Sequence, residues 1–292
     1  MTRRRGICCA LIAAVLFGAG MPLIKLGFSA FDPLLLSAFL NLGAALGVAL
    51  VTRIPWGLGA LTTRCNRLPF AGSAVCGGVL APVLLVWGIA HTPGSAAALL
   101  LNLEAPFTTL IAWFFFREKI GLRFVLGLGM VTTGGVLVSI NGGSGPGQAV
   151  AGLAIAASCL CWAIDNNCTA RLKEVRPAQF SLWKGVISGL FLLVLCGGLR
   201  IPLPGTPALG KALLLGAFCS GLPLIAFVSA IQCLGAGRAI AFFASAPFVG
   251  AALSVALLGD PVTPRLLLAA VLMVLGVAAL LTEPHPRLET AG

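Results

Sequence analysis

The chain has 292 residues, 59% of them hydrophobic and only 9% charged, with a mean hydropathy of +1.06. A soluble domain carries about 25% charged residues, so a water-soluble core is excluded and lipid must serve as the solvent. The formal net charge of +11 would fit nucleic acid only if the basic residues formed a patch, and they sort instead by membrane side.

Ten apolar segments are predicted, at 6–28, 32–52, 69–90, 94–116, 122–140, 149–171, 177–199, 209–231, 235–258 and 265–282. Each is near the ~20 residues that a helix needs to cross a bilayer. The first segment follows Arg3-Arg4-Arg5, as a signal peptide would. Its apolar run continues past Gly20 to Phe28, so it is read as a retained helix. Lys25 follows Pro22 near the outer end of this segment. It either snorkels to the interface near Asp32 or contacts a substrate carboxylate. Segment two carries Asn41 at its middle, for a bond across helices or to substrate. Gly43 and Gly47 in segment two, like Gly185 and Gly189 in segment seven, have the spacing that lets helices approach closely. The basic loop from Arg53 to Leu68 is expected to lie on anionic headgroups.

Segment three contains Pro82 and ends at His91. Segment four holds Glu104 about ten residues from either end. A buried charge costs at least ~2.5–3.5 kcal/mol on insertion scales, so it defaults to function or pairing. Glu104 fits a carboxylate that takes up and releases a proton, one that binds a substrate amine, or a paired structural group. Asn102 is its neighbour in sequence but points to another face. After segment five, Asn141 to Gln148 is rich in Gly and reads as an outer linker. Segment six carries Asp165-Asn166-Asn167, with Trp162 one turn away as a pocket wall. Lys184 in segment seven lies at a depth similar to Asp165, roughly 9–10 Å from the cytoplasmic end at ~1.5 Å per residue. The two are expected to pair, as a structural bridge or a cytoplasmic gate. Nine of the ten cysteines fall within or at the ends of apolar segments, where a free thiol behaves as a small hydrophobe. Cys161 and Cys168 share a face without a histidine, so no metal site is expected.

The second five segments copy the first five. At an offset of 141, Pro82 falls on Pro223, Pro106 on Pro247, and Ala105-Pro106-Phe107 on Ala246-Pro247-Phe248. Five is odd, so the copy must run inverted, as in secondary transporters with a site where the halves meet. Pro22, Pro82, Pro106, Pro223 and Pro247 are the candidate hinges, since each removes a backbone hydrogen bond. With the N-terminus inside, fourteen Lys and Arg fall on the cytoplasmic side and three (Arg200, Lys211, Arg265) outside. Lys25 and Lys184 remain within helices. This places both termini in the cytoplasm. No Gly-rich loop with Lys-Ser/Thr is present, so no ATPase motor and no cofactor are expected.

Ser95 to Glu118, with Glu104-Ala-Pro106-Phe and Ala112-Trp113, followed by Gly134-Gly135-Val136, resembles the fourth and fifth helices of an EamA-type repeat of the drug/metabolite transporter superfamily. Ser245-Ala-Pro247-Phe248 and Gly259-Asp260 echo it in the second half. Leu16-Phe17-Gly18 and Cys161-Trp162-Ala163 resemble the family's first helix. Arg117 stands where the family has Gly. The resemblance implies an all-α membrane fold of ten helices in two inverted five-helix repeats, residues 1–140 and 149–282, joined by the linker 141–148 and followed by a cytoplasmic tail 283–292. It implies alternating access across the bacterial inner membrane. The expected activity is export of a small polar or amphipathic metabolite such as an amino acid, with proton coupling open, and no enzymatic activity. A passive facilitator or channel, and a drug, cation or metal efflux carrier, are the alternatives. The expected partners are the substrate and the bilayer, with no nucleic acid. The oligomeric state is open between monomer and homodimer.

Overall fold

The computed structural model describes residues 3–28, 31–52, 57–116, 121–140, 145–234 and 242–281. Ten helices fill them. They are α1 (Arg3–Phe28), α2 (Pro33–Val51), α3 (Arg67–Ala90), α4 (94–116), α5 (Leu122–Ile140), α6 (Gly145–Thr169), α7 (Pro177–Gly198), α8 (206–234), α9 (Ala246–Leu258) and α10 (Pro264–Leu281). Seven are long and apolar enough to cross a bilayer, and α5, α9 and α10 supply shorter apolar stretches among the described residues.

The prolines explain where these helices depart from α geometry. In α3 a π-helical turn, Ala74–Leu80, immediately precedes the turn containing Pro82. In α8 a π-helical turn, Ala217–Gly221, precedes Pro223. In α4 a 3₁₀ turn, Leu101–Leu103, precedes Pro106. Proline lacks an N–H, so the carbonyl four residues earlier loses its helical donor. Gly78 has that position relative to Pro82, and its carbonyl accepts instead from Asn41 Nδ2 of α2 at 2.8 Å. Neighbouring carbonyls of the same stretch are also taken up. Ser188 Oγ donates to Ala74 O at 3.1 Å, and Ser158 Oγ donates to Ala81 O at 2.7 Å. Backbone freed from the helix is thus bonded to other helices, as burial in lipid demands.

The packing repeats under exchange of the halves. Helix α1 packs on α8 and α9, and correspondingly α6 packs on α3 and α4. Helix α2 packs on α8, and α7 on α3; α2 with α7, and α5 with α10, pair across the pseudo-symmetry. Gly43 and Gly47 abut Leu213, Gly216 and Ala217 of α8, while Gly185 and Gly189 abut α2. Such close approach supplies the packing that replaces the hydrophobic effect between helices in lipid.

One expectation needs correction. The linker is shorter than its composition implies, because Gly145 to Gln148 form the first turn of α6. Pro146 in that turn needs no N–H donor and arrives with φ preset for a helix. Residues 141–144, the 283–292 tail, and Arg117 and Glu118 of the motif lie outside the described residues. Also, the described part of the loop before α3 packs inward. Leu61 is fully buried with Phe70 and Phe180, and Asn66 Nδ2 donates to Ala60 O and Lys173 O at 2.7 and 2.9 Å. The rest of it, including Thr62 to Cys65, Arg67 and Leu68, is exposed.

Candidate functional site

The intramembrane charges converge where α3, α4, α6 and α7 meet. Asp165 and Lys184 form an ion pair. The same carboxylate accepts from Ser73 Oγ of α3 and, at 3.3 Å, from Thr169 Oγ1 one turn along α6. Asp165 is only 6% exposed, and a buried carboxylate with a cation and two hydroxyl donors has its lone pairs occupied. Room for it comes from Gly77, where a Cβ would fall on the Asp165 carboxylate. A Gly77→Ala protein is expected to lose about 1–3 kcal/mol through overpacking. A drop in detergent melting temperature, absent for Gly57→Ala where the added Cβ meets nothing, checks this.

Asn166 points to the other side of α6. Its Nδ2 donates to Glu104 Oε1 at 2.8 Å and reaches Thr108 Oγ1 at 3.3 Å. Thr108 Oγ1 in turn donates to Glu104 O at 2.8 Å. Asn167 Nδ2 completes the clasp, donating to Thr108 O at 3.1 Å and Ala163 O at 2.8 Å. Glu104 is held by the Asn166 amide, and among the described residues the ion pair formed is that of Lys184 with Asp165. The two carboxylates therefore differ in their partners: an ammonium and hydroxyls at Asp165, an amide at Glu104.

Exposure shows which side of α6 meets open space. Leu153 and Leu160 are exposed on its lipid side. At ~100° per residue, Trp162 and Asn166 lie on the opposite side, yet Asn166 is exposed and Trp162 half-buried. Trp162 packs on the core between the helices, and Asn166 lies in the last turn of α6, which ends at Thr169.

Other candidates have structural bonds instead. Asn102 is buried, donating to Leu99 O at 2.9 Å with Met273 Sδ at 3.9 Å, away from Glu104. Asn41 ties α2 to α3, as described. Lys25 does not meet Asp32, which caps α2 by accepting from Leu34 N at 2.8 Å. Its ammonium donates to Thr92 O, just past the C-terminal end of α3, where a helix end favours a cation. Asp260, from the turn after α9, accepts from Ser95 N at 2.7 Å at the start of α4. The α3–α4 turn is thus held from both sides. Close contacts among Gly18, Gly250 and Ala98 also join α1, α9 and the N-terminal part of α4, whereas the C-terminal part of α4 packs chiefly on α6. The counterpart of Glu104, Ser245, donates to Phe242 O at 2.7 Å.

Ser73, Thr108, Thr169 and Ser188 carry little signal in the sequence, because small hydroxyls are common in membrane helices. The stated geometry alone brings them in. Among the described residues, no group of three or more His, Cys, Asp or Glu gathers as a metal site.

Comparison with known proteins agrees with this architecture. The pattern described as the EamA-like transporter family matches residues 4–140 and 150–282. A protein of Methanothermobacter thermautotrophicus named "Uncharacterized transporter" is 26% identical, over 95% of this chain and 86% of its own length. A protein of Streptantibioticus cattleyicolor named "Probable terminal-alkyne amino-acid exporter" is 24% identical, over 95% of this chain and 93% of its own. A crystal structure at 20% identity shares the fold with a TM-score of 0.66, over 98% of this chain and 99% of that one.

Proposed function

We propose, for a chain that belongs to the EamA-like transporter family, that it is a secondary carrier in the bacterial inner membrane. It exports a small amine-bearing metabolite, an amino acid, by alternating access and in exchange for protons. The observation that carries this reading is Glu104. Its carboxylate lies midway along α4 and is held by Asn166 Nδ2 of α6, a helix of the other half. A carboxylate there binds a proton or a substrate ammonium, and one occupant excludes the other. Mutual exclusion at one group is enough to couple the two fluxes in opposite directions.

The remaining residues have roles that fit such a cycle. The Lys184–Asp165 pair fixes α6 to α7 and α3, so that Asn166 and Asn167 present their amides to α4. The outer face is held by Lys25 and Asp260 on the α3–α4 turn, which leaves the carboxylate to load from the cytoplasmic side. The breaks before Pro82, Pro106 and Pro223 serve as hinges, since the α-helical ladder is already interrupted there. The excess of basic residues on the N-terminal side orients both termini inward, and the halves 1–140 and 149–282 act as the two moving units. The relative named as an amino-acid exporter supports the substrate class.

Counterflow in liposomes tests the carrier reading. Vesicles preloaded with unlabelled amino acid are expected to draw in labelled amino acid transiently above equilibrium, with saturation. Linear, unsaturable uptake without an overshoot would indicate a channel.

A further inference from the structure

The sorting of basic residues by membrane side sets an orientation but does not say how the charges sit together. Two of the stretches that carry them form one surface. Residues 57–68 hold Arg64 and Arg67, and residues 170–176 hold Arg171, Lys173 and Arg176 against a single acid, Glu174. Asn66 joins the two. It is only 2% exposed, and its side chain pairs with residue 173 as a backbone would. Its Nδ2 donates to Lys173 O at 2.9 Å, and Lys173 N donates to its Oδ1 at 3.0 Å. The backbone at Lys173 is thereby fixed against the residue that precedes Arg67. Gln179 Nε2 of α7 donates to Gly57 O, and Leu58, Leu61, Phe70, Leu172, Val175 and Phe180 cluster beneath the two stretches. The five basic residues are all left exposed.

Position along the chain sets the depth of this surface. Arg67 opens α3 and Arg176 immediately precedes α7, so both stand where a span leaves the hydrocarbon. Leu68, the second residue of α3, is 82% exposed. A soluble anion would leave that leucine uncovered. A phospholipid covers both, because it joins a phosphate to acyl chains, and clustered basic residues at a span end attract anionic headgroups. We propose that the two stretches form a binding surface for the headgroup of an anionic phospholipid of the cytoplasmic leaflet. The leaflet rests on the orientation given above, and the chemistry does not. One stretch belongs to each half, so a bound headgroup bridges the halves and holds them in the arrangement seen here.

The full-length protein in detergent is titrated with dioleoylphosphatidylglycerol, or with dioleoylphosphatidylcholine, while its melting temperature is followed. The anionic lipid is expected to raise it and the zwitterionic lipid to leave it nearly unchanged. Each basic residue near such a headgroup contributes about fivefold in affinity, so R64Q/K173Q is expected to need on the order of 25-fold more lipid for half the effect. R200Q/K211Q, changed beyond the far end of α7 and at the start of α8, is expected to respond like the unmodified protein. N66A keeps every charge and unties the two stretches, so its half-maximal concentration is expected to rise severalfold, which charge alone would not produce. Equal effects of the two lipids, an unchanged response in R64Q/K173Q or N66A, or an equal loss in R200Q/K211Q overturns the proposal. The same rise from inorganic phosphate identifies a free-phosphate site and overturns it as well. If a variant does not fold, the comparison of the two lipids on the unmodified protein decides. None of these readouts involves transport, so the amino-acid reading stands or falls separately.

Discussion

Asp165→Asn is expected to destabilise the protein more than Asp165→Asn combined with Lys184→Gln. The single change leaves the Lys184 ammonium in the bundle with its counter-charge removed, and breaking a buried ion pair on one side costs about 3–5 kcal/mol. The double change removes both charges and leaves an amide near Ser73 and Thr169, which donate to the carboxylate in the native protein. Thermal melting in detergent gives the ordering, and a double-mutant cycle gives the coupling. A swap of the two charges is a poorer test. Lysine at position 165 would have to occupy space that Gly77 leaves for a carboxylate. Additive effects in the cycle would mean that the pair contributes nothing beyond its separate side chains. Transport is expected to follow stability in this series, because the pair positions α6 and does not itself carry substrate.

Glu104→Gln should behave differently. Glutamine has nearly the same shape and still offers an oxygen to Asn166, so the fold is expected to survive with a melting temperature close to that of the unmodified protein. What disappears is the exchangeable charge. A neutral amide neither takes up a proton in the cycle nor neutralises an ammonium. Transport driven by a pH gradient is therefore expected to fall by at least tenfold, the range over which a positioned proton-transfer group typically acts being 10²–10⁴. The two carboxylates are thus separable by experiment: loss of stability for Asp165, loss of coupling for Glu104. Equal loss of stability in both would make Glu104 a structural group.

Most of the fold is legible in the sequence because its signals are local. Span length, the proline offset and the odd helix number each follow from a few residues read in order. The approach of Asp165 and Lys184 is legible for the same reason, since a short loop joins two charges at equal depth. The partners are less legible than the residues. Lys25 meets a backbone carbonyl at Thr92 and not Asp32, and Asn41 makes its expected bond across helices to a carbonyl, that of Gly78. Any residue can supply a carbonyl, so composition gives no hint of which one is free. The loss of a donor at Pro82 is the one clue, and it identifies Gly78 only once the π-turn is known. Asn102 is read from helical spacing as pointing to another face than Glu104, and it does, toward Met273 of α10.

The account rests most heavily on the claim that substrate and proton exchange at one carboxylate. It is tested most directly by sealing a pH-sensitive dye inside liposomes that contain the protein, with equal pH on both sides. An outward gradient of norvaline is then imposed. Outward movement of the amino acid is expected to drive protons inward, so the lumen acidifies, and the Glu104→Gln protein is expected to give no such change. Amino-acid efflux at full rate with a constant lumenal pH would contradict the account.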